Sequence, residues 1–319
     1  MTLRQKLIAA LGALGLIILF WRIDLNAVRL SLVHVGWGMA LVLSQEIVAH
    51  VLNAWGWRFA FTREVAPCFP LGELIRLRVA GDAINYLTPT ATIGGEVART
   101  LMLRDVCGAD VRAVSVVVAK ATQTLAQALF VTAGLILFAA EWVATGPSRS
   151  FISWAGGVGL LAVLLIAYGL KARGAAIQAA WRRAFGPGLV AFIRHHPGRV
   201  VCSTLMFALA YAWGAFEAYW ICRFLLVPVA AATALSIEVL SITIDGLLFM
   251  VPAKIGTQES GKVVVFAVLG YPPSLGFAFG VVRHVRELIW AAAGVVLYWA
   301  AIDRGGLSVR RRREQATAP

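Results

Sequence analysis

The chain has 319 residues, of which 60% are hydrophobic and 14% charged, and it carries a formal net charge of +13. Its mean hydropathy of +0.79 lies outside the range of soluble domains, and no polar segment is long enough for a soluble catalytic or nucleic-acid-binding domain. Apolar stretches long enough to cross a bilayer recur along the chain. The sequence therefore predicts an all-α polytopic membrane protein.

The first half of the chain holds three predicted spans and one interrupted helical segment. In that segment Leu71–Leu87 is amphipathic, Pro89 ends the helix, and Ile93–Leu103 begins a second, shorter helix. A break of this kind frees backbone groups that lipid cannot satisfy, so it is typical of a segment that lines a polar cavity. The three spans are predicted at about Leu7–Trp21, Val35–Ala60 and Val111–Val143.

The interrupted segment also carries polar side chains within apolar sequence. Asp82, Asn85, Glu96 and Arg99 lie in it, and a plain membrane helix would hold none of them because charge inside a bilayer is costly. An ordinary polar loop between two spans accounts for the same residues. The choice between these interpretations depends on whether the pattern occurs twice.

The second half repeats this order of elements. A second interrupted segment consists of Val229–Val251, a break at Pro252, and a short helix within Ala253–Gly270. The spans of this half are predicted at about Phe151–Leu170, Val200–Ile221 and Ser274–Ile302.

The two interrupted segments correspond at an offset of 163 positions. Pro89 then falls on Pro252 and Glu96 on Glu259, and these two matches define the offset. Weak internal symmetry of this kind is typical of transporter folds. The matches that test the offset independently are Asp82 with Asp245, Arg99 with Lys262, and Lys120 with Arg283.

Basic residues predict the orientation of the helices, since cytoplasmic loops carry an excess of lysine and arginine. With the amino terminus, the acid-free loop Lys171–Arg199 and the basic tail 303–319 inside, the first interrupted segment starts and ends at the cytoplasmic face. The second then starts and ends at the opposite face. The sequence therefore predicts about six full spans plus two broken, re-entrant helical hairpins in an inverted repeat. The repeat units are about 35–143 and 198–302 within a single transmembrane domain, 1–319, and both termini are cytoplasmic.

Three short motifs occur in order along the chain: Asn85–Arg99, where a proline precedes Gly-Gly-Glu-x-x-Arg, then Pro252–Gly261, then Arg286-Glu287-Leu288. In content and spacing the chain resembles the flippase-like transmembrane region of lysylphosphatidylglycerol synthases and their stand-alone relatives, which include hopanoid-associated membrane proteins. The resemblance covers most of the chain. It implies a helical protein of the bacterial inner membrane that moves amphiphilic lipids between leaflets. The second motif departs from a Gly-rich form, with Lys254 and Thr257 where small residues are common.

Two opposed polar hairpins offer a path for a lipid headgroup while its apolar chains stay in the bilayer. We therefore expect a flippase for an anionic or aminoacylated phospholipid, a hopanoid or an isoprenoid-phosphate lipid. Basic residues would bind a phosphate, and acidic residues a cationic group or a coupled proton; the alternative is internal salt bridges that hold the hairpins in place. The resemblance itself implies Glu96, Arg99, Glu259, Arg286 and Glu287 as headgroup residues. The full predicted set is Asn85, Glu96, Arg99, Lys120, Gln258, Glu259, Lys262, Arg283, Arg286 and Glu287 for the headgroup, and Asp82, Pro89, Asp245 and Pro252 for structure or coupling.

Two other classes of function stay open: an intramembrane enzyme that modifies lipid headgroups, and a scaffold for lipid-biosynthesis enzymes. Paired carboxylates can act as general acid and base, but the sequence has no HExxH, GxSxG or phosphate-binding GxxxxGK[ST] motif. Its cysteines and histidines show no metal-ligand spacing. We therefore expect no enzyme activity, no cofactor and no metal. The expected partners are membrane lipids, with lipid-biosynthesis enzymes as further candidates and no nucleic acid.

The predicted second span also carries polar side chains. Glu46, His50 and Asn53 are spaced at four and three residues, so they share one face of the helix. They either extend the polar cavity or pair with other side chains inside the helical bundle.

Overall fold

The computed structural model describes residues 33, 35–88, 93–103, 108–145, 188–247 and 257–316. Eight α-helices and one short 3₁₀ helix lie wholly within these ranges, which contain no strand. The all-α prediction is confirmed for this part of the chain. The helices are α1 (Gly38–Phe59), α2 (Leu71–Leu87), α3 (Ile93–Met102), α4 (Ala109–Thr145), α5 (Pro197–Phe224), α6 (Ala231–Leu247), α7 (Thr257–Val268) and α8 (Pro273–Ala316).

The bounds of these helices follow the sequence prediction closely. Helix α2 covers the predicted Leu71–Leu87, and α3 ends one residue before the predicted Leu103. Helix α8 differs, because it continues past the predicted Ile302 to Ala316 and so takes in most of the basic tail. The predictions that fall outside the described residues are the spans Leu7–Trp21 and Phe151–Leu170 and the two breaks at Pro89 and Pro252.

Two stretches in the described residues are long and apolar enough to cross a membrane. They are Asp110–Ala139 within α4, with a mean hydropathy of 1.5, and α5, with a mean hydropathy of 1.4. Only 17% of each apolar stretch is buried inside the protein, so most of its side chains face outward. The central helix of a soluble protein would instead be mostly buried, and the outward-facing apolar surface is compatible with contact to lipid.

Helices α2 and α3 form a tight hairpin. Gly95 of α3 packs directly on the backbone carbonyl of Gly81, where a side chain at position 95 would overlap with α2. The backbone N–H of Gly95 donates a 2.6 Å hydrogen bond to Asn85 Oδ1. The lack of a Cβ at this position therefore allows the two short helices to approach at backbone distance.

Helices α6 and α7 form a second pair of short helices, and α8 packs closely on α7. Gly261 of α7 lies against Ile244 of α6. On the other side of α7, Gly276 and Gly280 of α8 lie against its backbone. Helix α7 is therefore held between α6 and α8.

Helices α1 and α5 pack antiparallel along their lengths. Gly38, at the start of α1, lies against Phe224 at the end of α5, while Gly56, near the end of α1, lies against Phe207. Ser203 donates a 2.8 Å hydrogen bond to the carbonyl oxygen of Gly56. The two helices therefore contact each other from one end to the other.

Arg199 connects the start of α5 to the end of α1. Its guanidinium donates hydrogen bonds of 2.5 to 3.2 Å to the carbonyl oxygens of Arg58, Phe59 and Phe61. Carbonyl groups at a helix C-terminus lack intrahelical partners, so this side chain satisfies acceptors that α1 leaves open.

Helix α2 also packs on α8, and the two run antiparallel. Ala80, in the middle of α2, is buried with Tyr298 of α8. Leu87, the last residue of α2, is buried with Ala291, which lies earlier in α8. Residue numbers therefore increase along α2 in the direction in which they decrease along α8.

Helices α4 and α6 pack in the same antiparallel manner. Gln127 of α4 is the neighbour of Gly246, and Gly134, two turns further along α4, lies against Val239. A short helix from each half of the chain thus packs on the long final helix of the other half.

Candidate functional site

Five charged side chains from α2, α3 and α4 form a cationic cluster, which we define as Arg78, Asp82, Glu96, Arg99 and Lys120. Arg99 donates hydrogen bonds to Asp82 at 2.5 Å and to Glu96 at 2.6 Å. Arg78 contacts the other oxygen of Asp82 at 3.3 Å, and Lys120 Nζ lies 3.4 Å from Glu96. Three cations face two carboxylates, so the cluster has an excess of one positive charge. Both of its arginines are only 3% exposed.

A narrow cleft lies beside these charges. Arg78, Glu96, Arg99 and Lys120 line it, and it is too narrow for a water molecule to fit between them. Lys120 is 33% exposed and is the most accessible of the three cations. Guanidinium and ammonium groups make strong charge-assisted hydrogen bonds to phosphate, so the cleft can hold an anionic group once it widens. The remaining lining residues are Trp57, Val116, Ala119 and Gln123.

The second hairpin carries an ion pair at the corresponding positions. Lys262 of α7 is completely buried, and its Nζ donates a 2.8 Å hydrogen bond to Asp245 of α6. In both hairpins the base on the second short helix bonds to an acid 17 positions earlier on the first, as Arg99 does with Asp82. Two of the offset matches, Asp82 with Asp245 and Arg99 with Lys262, therefore make equivalent contacts in the structure.

A second group of charges surrounds α8, and we call it the acidic cluster. Arg283 donates to Glu217 at 3.0 Å and also to Glu238, while Arg286 donates to Glu217 at 2.8 Å and also to Glu46. Glu217 is 2% exposed and is shared by both arginines. The cluster sets five carboxylates against two arginines. Its members are Glu46, Glu217, Glu238, Glu259, Arg283, His284, Arg286 and Glu287.

His284 and Glu259 make the contact between α8 and α7 in this cluster. Nδ1 of His284 lies 2.5 Å from Glu259 Oε1, and the imidazole is 4% exposed. Gln258, the neighbour of Glu259, is fully buried, and neither its amide oxygen nor its nitrogen finds a hydrogen-bond partner among the described residues. The pair can share or exchange a proton, since each ring nitrogen of an imidazole can carry or accept one.

His50 of α1 lies between the two clusters. It is close enough to interact electrostatically with Asp82 and Arg78 of the cationic cluster and with Arg286 of the acidic cluster. Its ring packs edge-on against Trp290 at a centroid distance of 4.6 Å. Of the three polar residues on this helix face, Glu46 pairs within the bundle and His50 packs at the junction.

The structure distributes the predicted headgroup residues over both clusters. Glu96, Arg99 and Lys120 lie in the cationic cluster. Arg283, which we expected to bind an anion, is held between two carboxylates, and Asn85 bonds to the backbone of the first hairpin. The others lie at the second hairpin or in the acidic cluster: Gln258, Glu259, Lys262, Arg286 and Glu287.

Sequence reasoning left five members of the clusters out of the predicted site. Their positions in the sequence could have identified them. Each ionisable side chain lies in a strongly apolar stretch, where charge is unfavourable without a role or a partner. These residues are Glu46, Arg78, Glu217, Glu238 and His284. The described part of the chain contains no group of three or more His, Cys, Asp or Glu side chains arranged to hold a metal ion.

Apolar helices that face outward around buried ion pairs are compatible with one class of protein, the α-helical membrane proteins. The chain belongs to the family described as the lysylphosphatidylglycerol synthase TM region, whose family model matches residues 6–294. The resemblance seen in the three motifs is thereby confirmed. The family indicates a function connected with membrane lipids. No curated protein sequence and no solved structure gives a significant match to the chain.

Proposed function

We propose that this protein is a flippase that moves an amphiphilic lipid across the bacterial inner membrane by passing its headgroup through a polar cavity. The observation that carries the proposal is the matching ion pairs Asp82–Arg99 and Asp245–Lys262, each with a buried basic side chain, in two short-helix hairpins. Duplicated charge is costly at membrane depth and is typical of a substrate path. Interrupted helices are tolerated there where they line a cavity.

We infer that the chain consists of two repeat units, 35–143 and 198–302. Shifting the bounds of α1 by 163 positions gives 201–222, which lies within α5. The same shift takes α2 to 234–250, α3 to 256–265 and α4 to 272–308, close to α6, α7 and α8. Each unit then consists of a long helix, two short helices and a second long helix.

The packing between the units supports an inverted arrangement. Helix α1 corresponds to α5 under this shift, and the two pack antiparallel. Helix α2 packs on α8, and its counterpart α6 packs on α4, the counterpart of α8. Reciprocal contacts of this kind arise when two similar units are related by a two-fold axis, and in inverted-repeat transporters that axis lies in the membrane plane. Both termini would then be cytoplasmic, and the hairpins would enter from opposite faces.

The cationic cluster favours an anionic headgroup. Arg78, Arg99 and Lys120 all line the cleft, with Glu96 as the single carboxylate among its lining residues. A phosphate there would add to the partners of Lys120 and Arg99 without displacing Asp82. The lipids that fit this chemistry are anionic phospholipids and isoprenoid phosphates.

Transport can be measured with the full-length protein in liposomes that contain a fluorescent anionic phospholipid. A quencher that cannot cross the membrane reports the labelled fraction in the outer leaflet. We expect wild-type protein to speed crossing relative to empty liposomes, and Glu96→Ala/Glu259→Ala to slow it at least about tenfold, equivalent to about 1.4 kcal/mol. Glu73→Ala, which removes a half-exposed carboxylate from α2, is the control and should keep the wild-type rate. Equal rates for wild type and the double variant would show that the proposed site is wrong.

The same liposomes distinguish transport from lipid modification. Mass analysis of the recovered lipid should find the headgroup unchanged. Altered headgroups without crossing would overturn the flippase proposal in favour of an intramembrane enzyme.

The inverted arrangement has a separate test. In a background without native cysteines, Asn85→Cys and Thr257→Cys are each exposed to a membrane-impermeant thiol reagent in oriented vesicles. We expect the two positions to react from opposite faces. Reaction of both from one face would refute the inverted repeat.

A further inference from the structure

The two carboxylates at equivalent positions of the hairpins have different partners. Glu96 bonds to Arg99 at 2.6 Å and lies 3.4 Å from Lys120, so strongly basic groups face it. Glu259 instead contacts His284 Nδ1 at 2.5 Å, and Arg283, the counterpart of Lys120, turns to Glu217 and Glu238. The first hairpin therefore pairs Glu96 with side chains that stay positively charged, whereas the second pairs Glu259 with an imidazole, whose charge depends on whether it binds a proton.

We propose that the Glu259–His284 pair is a proton-binding site that couples lipid movement to proton movement across the membrane. This inference rests on the proposed transport function. With neutral imidazole and ionised carboxylate the pair has a net charge of −1. Binding one proton makes it neutral, and release of that proton restores the charge, so one N–H or O–H bond forms or breaks and no other reactant is needed.

The burial of the imidazole suits this role. His284 is 4% exposed, and its Nε2 has no hydrogen-bond partner in the described ranges of the chain. One ring nitrogen thus holds the carboxylate while the other is available to accept or pass on a proton. Gly280, one helical turn before His284, packs on the backbone of Gln258 and Glu259, and this close contact fixes the distance between the two side chains.

The surroundings of the pair favour proton binding over metal binding. Four further carboxylates and two arginines of the acidic cluster lie around it, so a bound proton reduces an excess of negative charge. Where the chain is described, no set of three acidic, His or Cys ligands converges on a metal site. Neighbouring helices bring further ionisable side chains to this region: Glu46 and His50 of α1, Tyr86 of α2, Glu217 of α5, Glu238 and Asp245 of α6, Lys262 of α7, and Arg283, Arg286 and Glu287 of α8.

Most of these neighbours already have ionic partners. Glu217 and Glu238 are bound by Arg283, Glu46 by Arg286, and Asp245 by Lys262. His50 shares no hydrogen bond with a carboxylate among the described residues. His284 is therefore the imidazole that can exchange a proton while in direct contact with an acid.

Protonation of the pair would determine which conformation of the hairpin is stable. A neutral pair can stay buried, whereas an unpaired carboxylate in a medium of low dielectric is strongly unfavourable. Loss of the proton therefore favours a state in which Glu259 reaches water. Because Glu259 lies in the first turn of α7, that change moves the start of α7 and ties proton release to opening of the cavity.

The coupling can be measured in liposomes of the full-length protein with a fluorescent anionic phospholipid, with the membrane potential clamped. A pH difference of one unit is expected to shift the steady-state ratio of lipid between the leaflets by up to about tenfold for one proton per lipid. His284→Gln is expected to lose this shift. His195→Gln, which replaces an exposed histidine outside both clusters, should keep it. A sodium gradient should have no effect.

A second measurement uses wild-type protein alone, so it does not depend on a variant that folds. A lipid gradient imposed across the vesicles should drive protons across the membrane, as reported by a trapped pH dye. Wild-type protein that moves lipid without moving protons, or that responds to sodium instead, would overturn the coupling proposal alone. Wild-type protein that moves no lipid would overturn the flippase proposal and the coupling with it.

Discussion

Loss of Glu217 is expected to destabilise the protein far more than loss of an exposed carboxylate. Oε2 of Glu217 accepts hydrogen bonds from Arg283 at 3.0 and 3.2 Å and from Arg286 at 2.8 Å. Removing one partner of a buried ion pair costs about 3–5 kcal/mol. Glu238 and Glu46 stay in place as partners of the two arginines, so we expect about 3 kcal/mol for Glu217→Gln and a larger loss for Glu217→Ala.

The matched control is Glu73→Gln. Glu73 contacts Arg76 at 2.7 Å, but the two side chains are 39% and 28% exposed, and exposed pairs contribute only about 0–1 kcal/mol. The free energy of unfolding is measured by titrating the detergent-solubilised protein with SDS and following tryptophan fluorescence. If the two glutamine variants lose the same stability, the acidic cluster does not hold the helices as the contacts indicate. Arg286→Met added to Glu217→Gln should cost less than the sum of the single changes, because it removes a charge left short of a partner.

Two further predictions use the same unfolding measurement. Gly95→Ala is expected to cost about 1–3 kcal/mol of stability, because the added methyl group meets the carbonyl of Gly81. The control Gly72→Ala adds a methyl group that meets nothing within 4 Å, and it should stabilise α2 by up to about 1 kcal/mol. A Gly95→Ala variant as stable as wild type would refute the backbone contact. Arg199→Met is expected to cost about 1.5–3 kcal/mol through its lost hydrogen bonds to the end of α1, and exposed Arg194→Met should be neutral. Equal stability of the two arginine variants would contradict that role for Arg199.

Local chemistry explains why the helices were predictable from the sequence. Pro70 precedes α2 and a proline follows it in the sequence, and proline both starts helices and prevents their continuation. The bounds of α2 were therefore predicted to the residue. The end of α8 was not, because Arg310–Arg313 reads equally well as a charged tail and as the last turns of a helix.

The partners of the buried charges could be predicted only in part. The pairs Asp82–Arg99 and Asp245–Lys262 join neighbouring helices 17 positions apart, and the internal repeat singled out all four residues. The contact of Glu46 with Arg286 joins residues 240 positions apart. No local pattern specifies such a contact, since it depends on how α1, α5 and α8 pack together.

The closed cleft beside the cationic cluster bears on the energy supply of a cell that carries this protein. A membrane that stores energy as an electrical potential holds about 2.3 kcal/mol per charge for each 100 mV, and a standing water-filled path would discharge it. At this position Trp57 and the ion-paired arginines fill the space, and no water-sized sphere fits between them. If the cleft is the headgroup path of the proposed flippase, idle copies would not short-circuit the membrane there, and a conducting gap would last only as long as a headgroup occupies it.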